Sequence, residues 1–464
     1  MRPRVSRPYR RHLHHGGEEE PRRQQGHDAR VRCVRSRPVR TVGGLRRAVR
    51  KVGFAVLRHT PRLRLAVRHA YWRVQRRRYE RLRAGIDVDS HLVFFESFGG
   101  RSVSCSPKAL YQAMLRDERY DDYRFVWSAK TDVFGKTAAL FRDAPRTNVV
   151  QRGSEEYFRT LAAAGTIIIN TRLPEYVWPS EAQTFVQCWH GTPLKRLGYD
   201  VRIETTNALN TTAELASRFG LDARKWTYLI SPSAYTSEHL CDAFGLPQER
   251  RAAVVIEEGY PRNDVLTTAD AAKVRLLRTS LGIPEGHKAL LYAPTWRDDS
   301  YRPGVGYTFD YLLDFDRMCE MLGDKWVVLF RPHYYVANQF DFSKYEGFVI
   351  DVSKTGDIND LYLAADALLT DYSSVMFDYA NTGKPMMLFT PDRDRYADRI
   401  RGFYMDFDSI PAPNCETTDE VIDELFGLGA YEKRYGEQYR RFVQTYCPHD
   451  DGHASERVLH RIFG

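Results

Sequence analysis

The sequence predicts an α/β protein with two doubly wound domains that face a cleft, preceded by a basic N-terminal segment. Short apolar or β-branched runs alternate with stretches of helical spacing, as in parallel sheets that are covered on both faces. The alternation restarts after Gly245-Leu246-Pro247, and 464 residues are enough for two or three domains. The charge is divided as well, because residues 1–85 hold 26 Lys and Arg against 5 Asp and Glu, whereas the rest holds 43 against 55.

The basic segment has two parts. Residues 1–40 have few apolar side chains and no periodicity, which predicts a disordered tail. Residues 41–86 show helical apolar spacing over 45–56 and again over 63–74, with Thr60-Pro61 as a cap and first-turn pair. Their polar faces are almost purely cationic, which favours helices that lie on an anionic membrane. The alternative is a solvated basic face that packs on the rest of the protein.

Strands and helices alternate in both predicted domains. In the first domain, residues 87–246, the predicted strands are 91–97, 123–128, 148–151, 166–170 and 184–188, and the helices are 107–116 and 155–164. In the second, residues 247–464, the strands are 254–257, 288–292, 326–330, 348–351, 367–370 and 385–389, and the helices are 274–281, 309–322, 358–365 and 374–381. Ligands of such sheets bind beyond the carboxyl ends of the strands, so functional residues are expected where strands end.

His190 and Gly191 follow the strand 184–188 after a single residue, Trp189. A histidine at this edge can serve as a general base, because imidazole titrates near neutrality and a neighbouring glycine permits close approach of a substrate. A structural histidine in a capped loop is the alternative.

Two further strand ends carry groups that can bind phosphate. Arg331 and His333 follow the strand 326–330, where they could hold a diphosphate or satisfy carbonyls at the rim of the sheet. Ser373 and Ser374 precede a helix, where they could bind an anion or simply cap the helix. The remaining candidates at this edge are Arg262, Pro294, Thr295 and, one helical turn after Ser374, Asp378.

Cysteine and apolar patterns bound the compartment. Seven cysteines form no CxxC pair and no zinc-site spacing, and their odd number is typical of a reduced cytoplasmic chain. No stretch approaches the roughly 18 to 20 apolar residues of a membrane-spanning helix. Together with the basic helices, these patterns predict a peripheral protein at the cytoplasmic face of the membrane. Neither a metal nor another cofactor is expected, because the sequence has no zinc-site spacing, no Walker loop and no GxGxxG motif.

Six motifs occur in order: WHGTPLK, GYPRND, YAPTWRDD, RPH, DINDLYLAADALLTDYSSVMFDYANTGKP and DGHASERV. With them, residues 88 to 460 resemble the CDP-glycerol glycerophosphotransferase family of teichoic acid primases and polymerases. The resemblance implies a GT-B-like pair of Rossmann-like domains with the active site in the cleft. It implies His190 as the catalytic base and His333, with Arg331, as a second catalytic group at the diphosphate. The residues that it implies in contact with CDP-glycerol are Gly191, Thr192, Pro193, Arg262, Pro294, Thr295, Arg331, Ser373, Ser374 and Asp378.

The implied reaction moves glycerol phosphate, or a related alditol phosphate, from CDP-glycerol or another CDP-alditol to a hydroxyl of a lipid-linked saccharide or polymer, with release of CMP. Glycerol versus ribitol, primase versus polymerase, and the oligomeric state stay open. One alternative is a glycosyltransferase of the same architecture that uses a nucleotide sugar. A nucleic-acid-binding protein driven by the basic segment is the other, but it leaves the cleft motifs unexplained, so no nucleic acid is expected.

Overall fold

The computed structural model describes residues 60–201, 211–295, 301–302, 306–307, 313–332, 341–393 and 402–464. The predicted tail 1–40, the first basic helix 45–56 and His333 lie outside these ranges. Residues 60–464 form one compact unit.

Fifteen strands are described: β1 Asp89–Glu96, β2 Arg124–Ala129, β3 Thr147–Gln151, β4 Ala164–Ile169, β5 Thr184–Gln187, β6 Tyr228–Ser231, β7 Val255–Glu257, β8 Lys288–Ala293, β9 Tyr301–Arg302, β10 Gly306–Tyr307, β11 Trp326–Phe330, β12 Val349–Asp351, β13 Ala367–Thr370, β14 Met386–Phe389 and β15 Asn414–Cys415. The α-helices in the described ranges are α1 Pro61–Arg83, α2 Cys105–Leu115, α3 Phe134–Leu140, α4 Glu155–Ala163, α5 Thr212–Ala223, α6 Ala234–Phe244, α7 Gln248–Val254, α8 Asp264–Thr268, α9 Ala271–Ser280, α10 Phe315–Leu322, α11 Ile358–Ala364, α12 Val375–Ala380, α13 Thr418–Phe426, α14 Tyr431–Tyr446 and α15 Ala454–Phe463.

The first domain is built on a seven-stranded parallel sheet in the order β3-β2-β1-β4-β5-β6-β7. All six residues of β4, near its centre, are buried, as expected for a strand covered on both faces. Separate apolar clusters fill the two faces of the sheet. The order reverses between β1 and β4, which opens a crevice at their carboxyl ends.

The second domain is built on a six-stranded parallel sheet in the order β12-β11-β8-β13-β14-β15. Every residue of β11 and of β13 is buried, and two apolar clusters again cover the faces. The predicted α/β class with two doubly wound domains is therefore confirmed.

Two elements lie in a different domain from the one predicted. The strand at 254–257 was assigned to the second domain, but β7 pairs in parallel with β6 and closes the first sheet. The last helix α15 returns to the first domain, where Val458 and Leu459 join its core and Phe463 packs edge-on against Tyr120 and Tyr123. A short apolar pattern predicts an element without indicating which sheet or surface will bury it.

Helix α1 begins at Pro61, directly after Thr60, as the sequence predicts. It is held to the first domain by the buried ring of Tyr79 and by an ion pair of 3.0 Å between Arg64 and Glu214. The described helices include none that is long and apolar enough to span a membrane.

Candidate functional site

His190 follows the buried strand β5 through a sharp backbone turn. Trp189, directly before it, has a φ of 48°, which a bulky residue adopts only when surrounding contacts hold it there. Its amide N–H donates to Gln187 Oε1 at 2.9 Å, and its ring packs against Phe219 and Phe244 in the core. The turn carries His190 out of the core, where the residue is accessible to solvent while protein surrounds much of its ring.

The imidazole of His190 is held through one nitrogen. Its Nδ1 lies 2.9 Å from the backbone oxygen of Asn170, at the end of β4. Because a carbonyl oxygen can only accept, Nδ1 carries the hydrogen and Nε2 keeps its lone pair. The protein packed around the ring lowers the pKa of His190 below its ordinary value of 6.5, and the charges of Arg262 and Arg172 also lower it. The imidazole is thus neutral at pH 7 and can accept a proton at Nε2.

Asn170 joins two strand ends to this histidine, and the sequence did not single it out. Its side chain is fully buried, and its Oδ1 accepts a hydrogen bond of 2.7 Å from the amide of Phe98, just after β1. The Phe98 ring in turn lies edge-on to the imidazole, with centroids 6.0 Å apart. Asn170 was missed because a backbone oxygen makes the contact to His190. The sequence feature that could have indicated it is its position, as a polar residue at the end of an apolar strand.

Gly191 brings the two domains into contact. A Cβ at this position would lie 2.8 Å from Ser374 Oγ, closer than two such atoms normally approach. Thr192 is buried next to it, and the Pro193 oxygen accepts a hydrogen bond of 2.9 Å from the Tyr235 hydroxyl. The predicted residues 191–193 therefore lie where the end of the first sheet meets the start of α12.

The opposite wall is formed by the ends of β8 and β13, which are neighbours in the second sheet. Thr295, after Pro294, donates its N–H and its hydroxyl to Asp371 Oδ1 at 2.9 and 2.6 Å. Ser373 Oγ accepts a long hydrogen bond of 3.4 Å from the amide of Val375, which is the capping contact that the sequence left open. The structure thus brings Pro294, Thr295, Ser373 and Ser374 to one edge.

Arg331 occupies the rim of the second sheet. Its Nη1 donates to the backbone oxygens of Val352 and Thr355 at 2.6 and 2.5 Å, which is the alternative role that the sequence allowed for it. Burial lowers the pKa of its guanidinium. His333 lies outside the described residues, so the structure places only half of this predicted pair.

Arg262 and Asp378 are joined to each other beneath the cleft. The Arg262 guanidinium donates to both oxygens of Asp378 at 2.8 to 3.2 Å and lies over the ring of Tyr260. Asn263 donates to Asp378 at 3.0 Å and to Asp450 at 2.7 Å, which extends the buried network. Burial raises the pKa of Asp450 to about 7. Asp378, which the sequence placed only as a candidate at this edge, faces the buried network.

Comparisons with known proteins agree with this architecture. A family model described as CDP-Glycerol:Poly(glycerophosphate) glycerophosphotransferase matches residues 78–464. The teichoic acid poly(glycerol phosphate) polymerase of Staphylococcus epidermidis is 38% identical over 382 residues, which cover 80% of this chain and 50% of that protein. The teichoic acid glycerol-phosphate transferase of Staphylococcus aureus is 36% identical over 379 residues, which cover 81% of this chain and 93% of that protein.

A solved structure agrees as well. The wall teichoic acid polymerase TagF superposes with a TM-score of 0.74 at 36% identity, covering 86% of this chain and 96% of that one, so the GT-B-like arrangement is confirmed. The chain spans about half the length of the polymerases of Staphylococcus epidermidis and Bacillus subtilis. On the match over residues 78–464 and these identities, the chain belongs to the CDP-glycerol:poly(glycerophosphate) glycerophosphotransferase family.

Proposed function

We propose that this chain transfers glycerol phosphate from CDP-glycerol to a hydroxyl of a lipid-linked glycerophosphate acceptor in wall teichoic acid synthesis, and releases CMP. The observation that carries the proposal is the state of His190. Its Nδ1 is bonded to Asn170, its Nε2 keeps a lone pair, and the adjoining Gly191 contacts Ser374 of the second domain. A neutral base thus stands where the two domains meet.

The reaction follows from this geometry. His190 Nε2 takes the proton of the acceptor hydroxyl, whose oxygen attacks the β-phosphorus of CDP-glycerol as the bond from that phosphorus to the CMP oxygen breaks. The imidazolium that forms is stabilised by its Nδ1–H bond to the Asn170 oxygen. Positioning and charge stabilisation supply most of the rate in such transfers.

The second wall is proposed to hold the donor. Hydroxyl and amide groups of Thr295, Ser373 and Ser374 lie at one strand edge next to Gly191. Arg331 reaches the same rim, and His333 follows it by two residues. We assign the cytidine diphosphate to this wall, with Thr192, Pro193 and the Arg262–Asp378 pair supporting it from below.

The donor can be tested directly. The protein is incubated with a lipid-linked disaccharide that ends in glycerol phosphate and, separately, with CDP-glycerol, CDP-ribitol, UDP-sugars or GDP-sugars. Mass spectrometry should show consumption of CDP-glycerol and products that grow by whole glycerol phosphate units, and the number of units separates a single transfer from polymerisation. Consumption of a nucleotide sugar with growth by a hexose would overturn the proposal.

A membrane-facing surface is the second part of the proposed function. Leu63, Val67, Tyr71 and Val74, which we call the apolar stripe, lie on one face of α1 and are each about half exposed. Arginines flank the stripe, while other positions of the same helix fasten it to the first domain. An apolar face bordered by cations fits the surface of an anionic membrane, where the acceptor lipid would be anchored.

Serine substitution of the apolar stripe tests this surface. The fourfold variant should sediment less with anionic liposomes than the parent, whereas Leu276→Ser, at an exposed leucine of α9, should not change sedimentation. Deleting the whole basic segment up to Asp87 would be a less specific test, because it would also remove the Tyr79 ring from the core of the first domain. Equal sedimentation of parent and fourfold variant would contradict a membrane role for α1.

A further inference from the structure

Arg172 lies beside the proposed base, in the loop that follows β4. It stands two residues after Asn170, whose oxygen holds His190, and its charge reaches the imidazole, since it lowers the pKa of that ring. Neither the sequence motifs nor the mechanism above uses this arginine.

Arg172 is partly buried, and none of the described residues bonds its guanidinium, although the charges of Asp222 and Glu175 act on it without contact. In the described ranges it forms neither a hydrogen bond nor an ion pair, and its Nη1 is buried without a partner. Neither nearby carboxylate bonds Arg172. Glu175 pairs with Arg218 at 2.5 Å, and Asp222 accepts from Trp226 and Gln187 at Oδ2, while its Oδ1 is buried without a hydrogen-bond partner in the described residues. The ring of Phe219, 4.8 Å from the guanidinium carbon, is its main described neighbour.

Other buried or partly buried arginines of the described chain have bonded partners. Arg262 is bonded to both oxygens of Asp378, Arg152 pairs with Glu96 at 3.0 Å, and Arg331 donates to two carbonyls. A buried charge without such partners is costly, and burial lowers the pKa of Arg172 accordingly. An anion supplied by a ligand would remove this cost.

The residues before Arg172 repeat the pattern. Asn170 Nδ2 and Thr171 Oγ1 are also buried without a hydrogen-bond partner in the described part of the chain. Three consecutive side chains at the end of β4 therefore carry polar atoms that protein groups do not satisfy. Such a set next to a catalytic base points to a polar ligand.

We propose that Arg172 binds the phosphodiester nearest the growing end of the acceptor and so places the terminal hydroxyl at His190. This inference rests on the proposed function. A glycerophosphate polymer carries one phosphate beside each glycerol, so the attacking hydroxyl always has an anion close to it. The planar guanidinium offers paired donors that match two phosphate oxygens. Arg172 belongs to the first domain, whereas Thr295, Ser373 and Ser374, which are assigned to the donor, belong to the second.

Arg172→Met tests the inference, because methionine keeps the apolar stem and removes the charge. Kinetics with a glycerophosphate oligomer should give an acceptor KM about ten- to a hundred-fold higher, the loss expected for a charge-assisted contact. CDP-glycerol affinity, measured by calorimetry, should stay the same. Arg172→Lys should fall between the parent and Arg172→Met, and Arg224→Met, which removes an exposed charge from the end of α5, should leave the acceptor KM unchanged.

Stability separates this role from a structural one. Removing an unpaired buried charge should leave the melting temperature of Arg172→Met unchanged or raise it. A lower melting temperature together with weaker donor binding would show that Arg172 serves the fold, and an unchanged acceptor KM would show that it does not touch the acceptor. Either result overturns the inference.

Binding without turnover separates this inference from the proposed function. Calorimetry with free glycerol phosphate should show binding to the parent that Arg172→Met loses about ten- to a hundred-fold, whereas glycerol should bind neither. If the parent fails to consume CDP-glycerol, the proposed function is wrong. The binding measurement still shows whether Arg172 binds glycerol phosphate. Equal glycerol phosphate binding by both proteins would overturn the anion site even in an active enzyme.

Discussion

The two walls of the cleft differ in how their polar groups are satisfied. On the second-domain wall, Thr295 is bonded to Asp371 and Arg331 to two backbone oxygens. On the first-domain wall, His190 is bonded at Nδ1 alone, and Arg172 has no described hydrogen-bond or ion-pair partner. The named polar groups of the second-domain wall are thus hydrogen-bonded within the protein before a substrate binds. The first-domain wall keeps polar groups whose hydrogen bonds a substrate can supply.

This difference separates catalysis from stability. A polar group without a protein hydrogen-bond partner lowers the free energy of unfolding and is retained for function. Its removal should therefore reduce turnover without unfolding the chain. Removal of a group that is bonded within the protein should also lower the free energy of unfolding.

The largest effect is expected at His190, on the first-domain wall. His190→Gln should lower kcat by about 10²- to 10⁴-fold, because the base is lost, while CDP-glycerol affinity and the melting temperature stay near the parent values. Turnover assays, calorimetry and thermal unfolding of the same samples give these three quantities. His460→Gln, at an exposed position of α15, is the matched control. A stability loss without a specific loss of kcat would make His190 a structural residue.

The second effect concerns the buried pair beneath the cleft. Asp378→Ala leaves the Arg262 guanidinium buried without its carboxylate, which should lower the free energy of unfolding by about 3 to 5 kcal/mol. Denaturant titration measures this loss. Glu437→Ala breaks the exposed pair of Glu437 with Arg441 and should change the midpoint little. Equal midpoints for the two variants would contradict a stabilising role for the buried pair.

The smallest effect concerns the contact between the walls. A methyl group at Gly191 would press on Ser374 Oγ, which can rotate away at little cost to stability. If that hydroxyl binds the donor, Gly191→Ala and Ser374→Ala should each weaken CDP-glycerol binding roughly two- to tenfold. The double variant should lose no more than either single variant, because both remove the same hydroxyl. Additive losses by calorimetry would show that the two residues act separately.

Much of this architecture could be predicted from sequence because parallel sheets leave a local signal. Buried strands such as 166–170 and 326–330 are apolar runs, and the helices between them have their own period. The sheet to which a strand belongs leaves no such signal, which is why β7 was assigned to the wrong domain. Its partner β6 is fixed by long-range hydrogen bonds that a three-residue run does not encode.

The candidate site was predictable to a similar degree. His190 was found because a titratable side chain directly follows a strand. The pairing of Arg262 with Asp378 was not, since 116 positions separate them and each by itself fits a cleft residue. Arg172 was missed because its guanidinium is notable for having no hydrogen-bond or ion-pair partner among the described residues. Only the folded structure shows this.

The pH dependence of kcat/KM tests the central claim, that His190 is the base, most directly. The lowered pKa of His190 keeps the imidazole neutral until the pH falls through that lowered value, so activity should stay on its plateau through pH 7 and decline only below 6.5. The residual activity of His190→Gln should lack this decline. If the decline persists in His190→Gln, another group is the base. The same conclusion follows if the activity of the parent already declines above pH 6.5 as the pH is lowered.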